Sequence, residues 1–324
     1  MAGGPSTVGL AAAVAAAGGL PFLAAGYKTT DEMSAEIEQL RAMTDGFGVN
    51  VFAPSTHDID LAAFRRYASE LEHEASAYGL TLDPTPRQDD DSWTQKLSIL
   101  AARPVPLVSF TFGLPAAEEA AALHSVGSQL IATVTTAAEA RAAAAVGMDG
   151  LVVQGTAAGG HSGSHDPHLA REEISTAALV ELIADAVDLP IIAAGGVDGP
   201  DAVRALLDAG ASAVSIGTLF LLADEAGTTP IHRAELMNPE RTQTVVTTAF
   251  TGRPARALRN RFTDLHSAAA PVAYPAIHHL TRALRQAAAR AGDAESVHLW
   301  AGTGWKSARA MPAAQIVDWL DPTG

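Results

Sequence analysis

The 324-residue sequence contains no cysteine, which excludes disulfide bridges, iron–sulfur clusters and thiolate catalysis together. Lysine is nearly absent too, occurring only at Lys28, Lys96 and Lys306. With 21 basic against 36 acidic residues the formal charge is −15. The chain therefore lacks the basic footprint that a phosphate backbone demands, and a nucleic-acid partner is not expected. A small anionic substrate stays open, because it needs positive potential only locally. A secretory n-region is missing as well. No charge falls between Val8 and Tyr27, the first positive charge is Lys28, and Gly18, Gly19 and Pro21 break the apolar run. The expectation is a cytoplasmic protein without a membrane span.

What the chain does contain is a rhythm. Short apolar runs at 22–25, 48–52, 106–110, 129–133, 150–154, 190–194 and 213–217 alternate with alanine-rich segments of helical spacing at 31–44, 116–124, 136–146, 176–187 and 200–209. Thr30, the pair Thr135 and Thr136, and Ser175 are placed as helix caps. Strands that are apolar throughout, separated by helices, indicate a parallel sheet covered on its faces. The fold class expected is α/β, a TIM (β/α)8 barrel. Seven strands are counted where eight are needed. The eighth belongs before a helix at 10–17, where only Met1-Ala2-Gly3-Gly4 remains, so the first barrel strand is expected to be truncated. Residues 53–104 interrupt the rhythm with helices at 61–78 and 92–101 joined by DPTPRQDDD. Past about residue 225 it stops, and 230–306 reads as a helical and irregular addition. The division expected is a barrel over 1–228, with 307–324 packing back on it, and a smaller, mainly helical domain over 229–306.

In such a barrel, functional residues lie just past the C-terminal ends of the strands. The sequence places Asn50, Gln154 with Gly155, the loop GGHSG at 159–163, Gly195 with Gly196, and Gly217 with Thr218 there. The last two pairs follow the final strands, where barrels bind phosphate through backbone N–H groups and a helix N-terminus. Asn50 and Gln154 are neutral amides that suit a heterocycle with alternating donors and acceptors, or else tie down neighbouring loops. His161 has three readings. A metal site is not expected, since His165 and His168 match no zinc spacing and no cysteine helps. A structural histidine bonded to a carbonyl and a proton carrier or substrate-orienting group both stay open. His278 and His279 read as an interface or capping pair. Trp300, Trp305 and Lys306 read as docking the C-terminal helix more than walling a pocket.

The stretches MAGGPSTVGLAAAVAAAGGLPFLAAGY, GVNVF, SFTFGLP, QGTAAGGHSG, IIAAGGVDG, SIGTLFLLADEA and LWAGTGWKSAR, taken in order, resemble the nitronate monooxygenase family, formerly called 2-nitropropane dioxygenase. The resemblance runs from residue 1 to about 317. It implies an FMN-bearing TIM barrel whose smaller domain covers the substrate. It implies oxidation of alkyl nitronates, such as propionate 3-nitronate, by O2 to a carbonyl compound and nitrite or nitrate, without a nicotinamide cofactor. Met1 and Ala2 would lie against the flavin ring, with Asn50 and Gln154 at its polar edge. Gly159, Gly195, Gly196, Ser215, Ile216, Gly217 and Thr218 would hold the ribityl phosphate, and Gly160 would also bind the cofactor. His161 matches the active-site histidine that takes the α-proton of a nitroalkane or orients the nitronate. Partners beyond the nitronate and O2 reduce to a second copy in a homodimer. Two positions depart from the family pattern, Ala157 where an acidic residue is usual and Ser215 where glutamine is. The alternative within the same barrel is an NAD(P)H-dependent flavin reductase of quinones or enoyl thioesters, which shares the AGGH loop. The stretch from YPAIHHLTRALR through LWAGTGWK favours the monooxygenases.

Overall fold

The seven apolar runs fold as seven parallel strands of one sheet in the computed structural model, which describes residues 1–55, 57–170 and 172–322. Of the segment 307–324, residues 323 and 324 therefore lie outside the described residues. The strands are β1 (Phe22–Ala24), β2 (Gly48–Phe52), β3 (Leu107–Thr111), β4 (Gln129–Val134) and β5 (Gly150–Gln154). A two-residue strand, β6 (Gly160–His161), leaves the sheet before β7 (Ile191–Ala194) and β8 (Ala213–Ser215) complete it. The sheet order is β1-β2-β3-β4-β5-β7-β8, so every barrel strand pairs with its neighbour in sequence. The fold is an α/β TIM barrel with seven strands in its sheet. Residues 1–7 form no strand. They fasten to the loop past β8, with Thr7 Oγ1 donating to Glu225 O at 2.7 Å and Gly227 N to Pro5 O at 3.1 Å.

The helices form where capping and apolar spacing agree. In Thr30–Arg41 the buried Met33, Ile37 and Leu40 share one face. Its cap is Thr29, one residue earlier than the spacing suggested, because Thr29 and Glu32 close a reciprocal capping box. Thr136 and Ser175 cap Ala137–Val146 and Thr176–Ala184 as expected. The helix anticipated over 61–78 is two, Leu61–Glu70 and Glu72–Ser76. The barrel core is the layer between sheet and helices, with Leu23, Val49, Val108, Leu130, Val153 and Ile191 each 2 % exposed or less.

Residues 230–306 hold more than helices. β9 (Thr244–Thr247) and β10 (Ala255–Leu258) form an antiparallel sheet with β6, in the order β6-β10-β9. Strands of two and four residues carry too little period to show in a sequence; pairing across the fold decides them. A second core joins this region to the insertion at 61–82, through Phe64, Tyr67, Phe250, Phe262, Ile277 and Leu284. Tyr67 donates its hydroxyl to Ala249 O at 2.7 Å, and Arg261 grips Glu74 with both Nη atoms at 2.6 and 2.7 Å. Each large apolar side chain buried here contributes about 1.5–3 kcal/mol, so the two insertions hold together as one unit.

Register sets the site. Ala24 pairs with Asn50, Asn50 with Ser109, Gln154 with Ala194, and Ala194 with Ser215. The polar strand ends therefore finish along one rim of the sheet.

Candidate active site

A cavity of about 620 Å³ opens at this rim, within the size range of small-molecule and cofactor sites. Of the residues singled out from the sequence, Met1, Ala2, Gln154, Gly159, Gly160, His161, Gly195, Gly196, Ser215, Ile216, Gly217 and Thr218 all line it. Asn50 does not. Its position opposite Ser109 turns the amide into the sheet end, where Nδ2 donates to Ser109 Oγ at 2.8 Å and Thr111 Oγ1 at 2.9 Å. Asn50 ties the rim together, and Thr111 carries that contact to the cavity wall. Gln154 does both things proposed for it. It lines the cavity and clamps the histidine loop, donating to His161 O at 3.1 Å and accepting from Gly163 N at 2.7 Å.

The glycines make a cradle from four chain segments. Gly195 turns the chain after β7 with φ +108, a conformation open to glycine. Gly159 and Gly302 pack backbone against backbone, so that a Cβ on Gly159 would stand 2.4 Å from Gly302 N. Thr218 Oγ1 accepts from Gly302 N at 3.0 Å, and Ala157 O accepts from Thr303 N at 3.0 Å. The GTG of LWAGTGWK therefore belongs to the cradle. Docking describes only part of that stretch. Trp305 is buried, whereas Trp300 walls the cavity with its ring 5.3 Å from His161.

His161 sits on β6 opposite Ala255. Its Nε2 lies 2.9 Å from Thr251 Oγ1, and Phe112, Tyr274 and Trp300 surround the ring at 5.3–5.9 Å. Burial, and after it the charges of Arg253 and Arg285, push the imidazole down to about 3. It is neutral at physiological pH.

Several neighbours were not expected at the cavity from the sequence. His278 lines the cavity and stacks on Tyr27 at 4.3 Å, whereas His279 turns to Asp89 at 2.8 Å; the pair is split, not a capping unit. His232 and His298 also line the cavity. Burial lowers His232 to about 4 and, aided by Arg285, lowers His278 to about 2 and holds His298 well below the ordinary range. Arg253 is fully buried, donating Nε to Ser162 O at 3.1 Å and Nη2 to Ser164 O, with its guanidinium 4.0 Å from the Phe112 ring centroid. Among the described residues no group of histidines and carboxylates has a metal-site arrangement. No helix in them is long and apolar enough to cross a membrane.

The residues present fit a flavin mononucleotide. A backbone cradle sealed by glycine contacts offers close approach to a phosphate, and the apolar walls beyond it offer room for a ring. The family model described as nitronate monooxygenase matches residues 1–322. A probable nitronate monooxygenase of Staphylococcus aureus (strain Newman) is 34% identical over 319 residues, covering 97% of this chain and 90% of the relative. Its counterpart in strain MSSA476 is 35% identical over the same coverage. The solved structure of a nitroalkane oxidase from Streptomyces ansochromogenes is 47% identical, with a TM-score of 0.93 over 99% of this chain and 92% of that one. FabK from Thermotoga maritima is 26% identical, with a TM-score of 0.71 over 99% and 89%. The matching family is one of flavin-dependent oxidoreductases. The chain belongs to the nitronate monooxygenase family.

Proposed function

We propose that the chain oxidises alkyl nitronates, of which propionate 3-nitronate is an example, with O2 and bound FMN, yielding a carbonyl compound and nitrite or nitrate. The observation that carries this reading is the neutral His161, held by Thr251 among aromatic rings and beside buried guanidinium groups. A neutral imidazole accepts a proton, and the adjacent positive charge favours the anion left behind.

Thr251 Oγ1 donates toward Arg253 O at 3.4 Å, which turns its lone pairs to His161. With the Nε2 proton shared with Thr251, Nδ1 keeps its lone pair. That atom takes the α-proton of a neutral nitroalkane, or orients a nitronate already formed. Gln154 holds the carbonyl of the histidine itself and the N–H of Gly163 just after it, and so fixes the ring against the cavity. The cradle of Gly159, Gly195, Gly196 and Thr218 receives the cofactor phosphate, and Phe112 and Trp300 keep water from the reacting carbon. Residues 229–306 act as the cover of the barrel, 1–228 with the C-terminal segment. When bound, the flavin supplies the electron transfer to O2; the protein supplies position and charge.

The test is direct. The cofactor released from purified enzyme should be FMN, and propionate 3-nitronate should drive O2 uptake with formation of nitrite or nitrate. An enzyme that ignores nitronates and oxidises NADH in step with a quinone or enoyl thioester would overturn the reading in favour of the flavin reductases.

A further inference from the structure

Among the described residues the buried cationic side chains are Lys96, Arg253 and Arg285. Lys96 meets Asp91 at 2.8 Å, and the half-buried Arg241 meets Glu235 at 2.6 Å and Glu295 at 2.5 Å. Arg253 and Arg285 have no such match. Neither has a carboxylate partner within 4.0 Å among the described residues, although the chain carries 15 more acidic than basic residues. The two differ in where they point. Arg253 spends its guanidinium on the carbonyls of Ser162 and Ser164 and does not line the cavity. Arg285 is 6 % exposed and does line it.

Arg285 lies in the helix Ala276–Ala291, one turn past Thr281 and two past His278. Its Nε donates to Thr281 Oγ1 at 3.0 Å and its Nη2 to His278 O at 3.0 Å. Nη1 stands 3.3 Å from a ring nitrogen of His298. All these partners are neutral. They fix the plane of the guanidinium without cancelling its charge. An ion taken out of water without a counter-charge costs several kcal/mol, and a ligand that brings the missing charge recovers it.

Resting on the nitronate reading above, we infer that Arg285 is the residue that recognises the substrate's anionic –NO2 group, and that His161 and Arg285 are the two poles between which the substrate lies. A nitronate is planar and presents two oxygens in the geometry of a carboxylate, which a guanidinium meets with paired N–H donors. This orientation leaves the carbon end for His161. It also selects substrates by charge, so a neutral nitroalkane of the same shape gains less from the site.

Nitrate is a planar oxyanion that the enzyme cannot oxidise, and its binding to the flavin-loaded enzyme reports the site apart from turnover. Followed by calorimetry, Arg285→Gln should weaken nitrate about ten- to hundredfold. Arg285→Lys, which keeps charge and loses the paired donors, should fall between. KM for a nitronate should rise with the nitrate Kd by a larger factor than kcat falls. Arg285→Met should melt no lower than wild type, since it removes an unmatched buried charge, whereas Arg253→Met, which orphans two carbonyls, should melt lower. Wild-type enzyme that does not bind nitrate, or variants that bind it equally well, would overturn the inference while leaving nitronate oxidation intact. A shifted flavin potential with unchanged nitrate affinity would assign the charge to the cofactor and overturn it too. Nitrate binding that depends on Arg285, without turnover of any nitronate, would instead sink the proposed reaction and leave the anion site standing.

Discussion

His161 Nε2 and Thr251 Oγ1 lie 2.9 Å apart across 90 residues of sequence. The contact forms because β6 and β10 pair at His161 and Ala255, which carries the turn before β10 over the barrel rim. Removing the hydroxyl frees the ring and changes which nitrogen carries the proton. Thr251→Val should therefore lower kcat/KM about tenfold or more, and Thr251→Ser should restore most of it. Steady-state kinetics of the two variants check this, and equal loss in both would point to packing of the methyl group.

His161→Asn separates its two possible tasks. If the imidazole removes the α-proton, the variant should lose roughly 10²–10⁴-fold in kcat/KM on a neutral nitroalkane and much less on the preformed nitronate. Equal losses on both substrates would make orientation its main role.

The histidines make the fold sensitive to acid. Unfolded, each titrates near 6.5; folded, His161, His232 and His278 titrate at about 3, 4 and 2. A depressed folded value means that the stabilising contribution is whole above pH 6.5 and is lost as pH falls toward the folded values. Melting temperature should drop by roughly 5 °C or more between pH 7 and pH 5, before the carboxylates titrate. A flat profile across that window would show that these rings protonate without penalty in the native state.

Gly159→Ala tests the cradle. Its Cβ would stand 2.4 Å from Gly302 N and 2.6 Å from Ala301 C, both backbone atoms with no rotamer to yield. The variant should lose about 1–3 kcal/mol of stability and retain less flavin after gel filtration. Full flavin content and an unchanged melting curve would show that the 301–304 segment is free to shift.

Much of the barrel was written in periodicity. The runs from FLAA to PIIAA are largely buried, so they are apolar nearly throughout and stand out from the helices between them, while β8 is exposed at Ala213 and Ser215. Gly195 and Gly196, past β7, stood out for a related reason, because both hold a positive φ at which the chain has few alternatives to glycine. The small sheet was not visible. β6 is two residues long, and Thr244–Thr247 and Ala255–Leu258 show no clear alternation. His278 was read as half of an interface or capping pair and Arg285 was missed, because a histidine and an arginine in an amphipathic helix look the same whether they face solvent, a neighbour or a cavity.

The sequence alone determined the order of elements, the parallel sheet, the rim at which the cavity opens and the histidine that lines it. These follow from local rules, in which spacing and backbone freedom are properties of neighbouring residues. Only the tertiary structure decided that Asn50 braces the rim and that the GTG of 302–304 closes on Gly159. It also decided that Thr251 bonds to His161 and that the charges of Arg253 and Arg285 act on its ring. Those are contacts between segments far apart in the chain, such as Gly159 with Gly302, and their charge and hydrogen-bond partners come into being only when the chain packs.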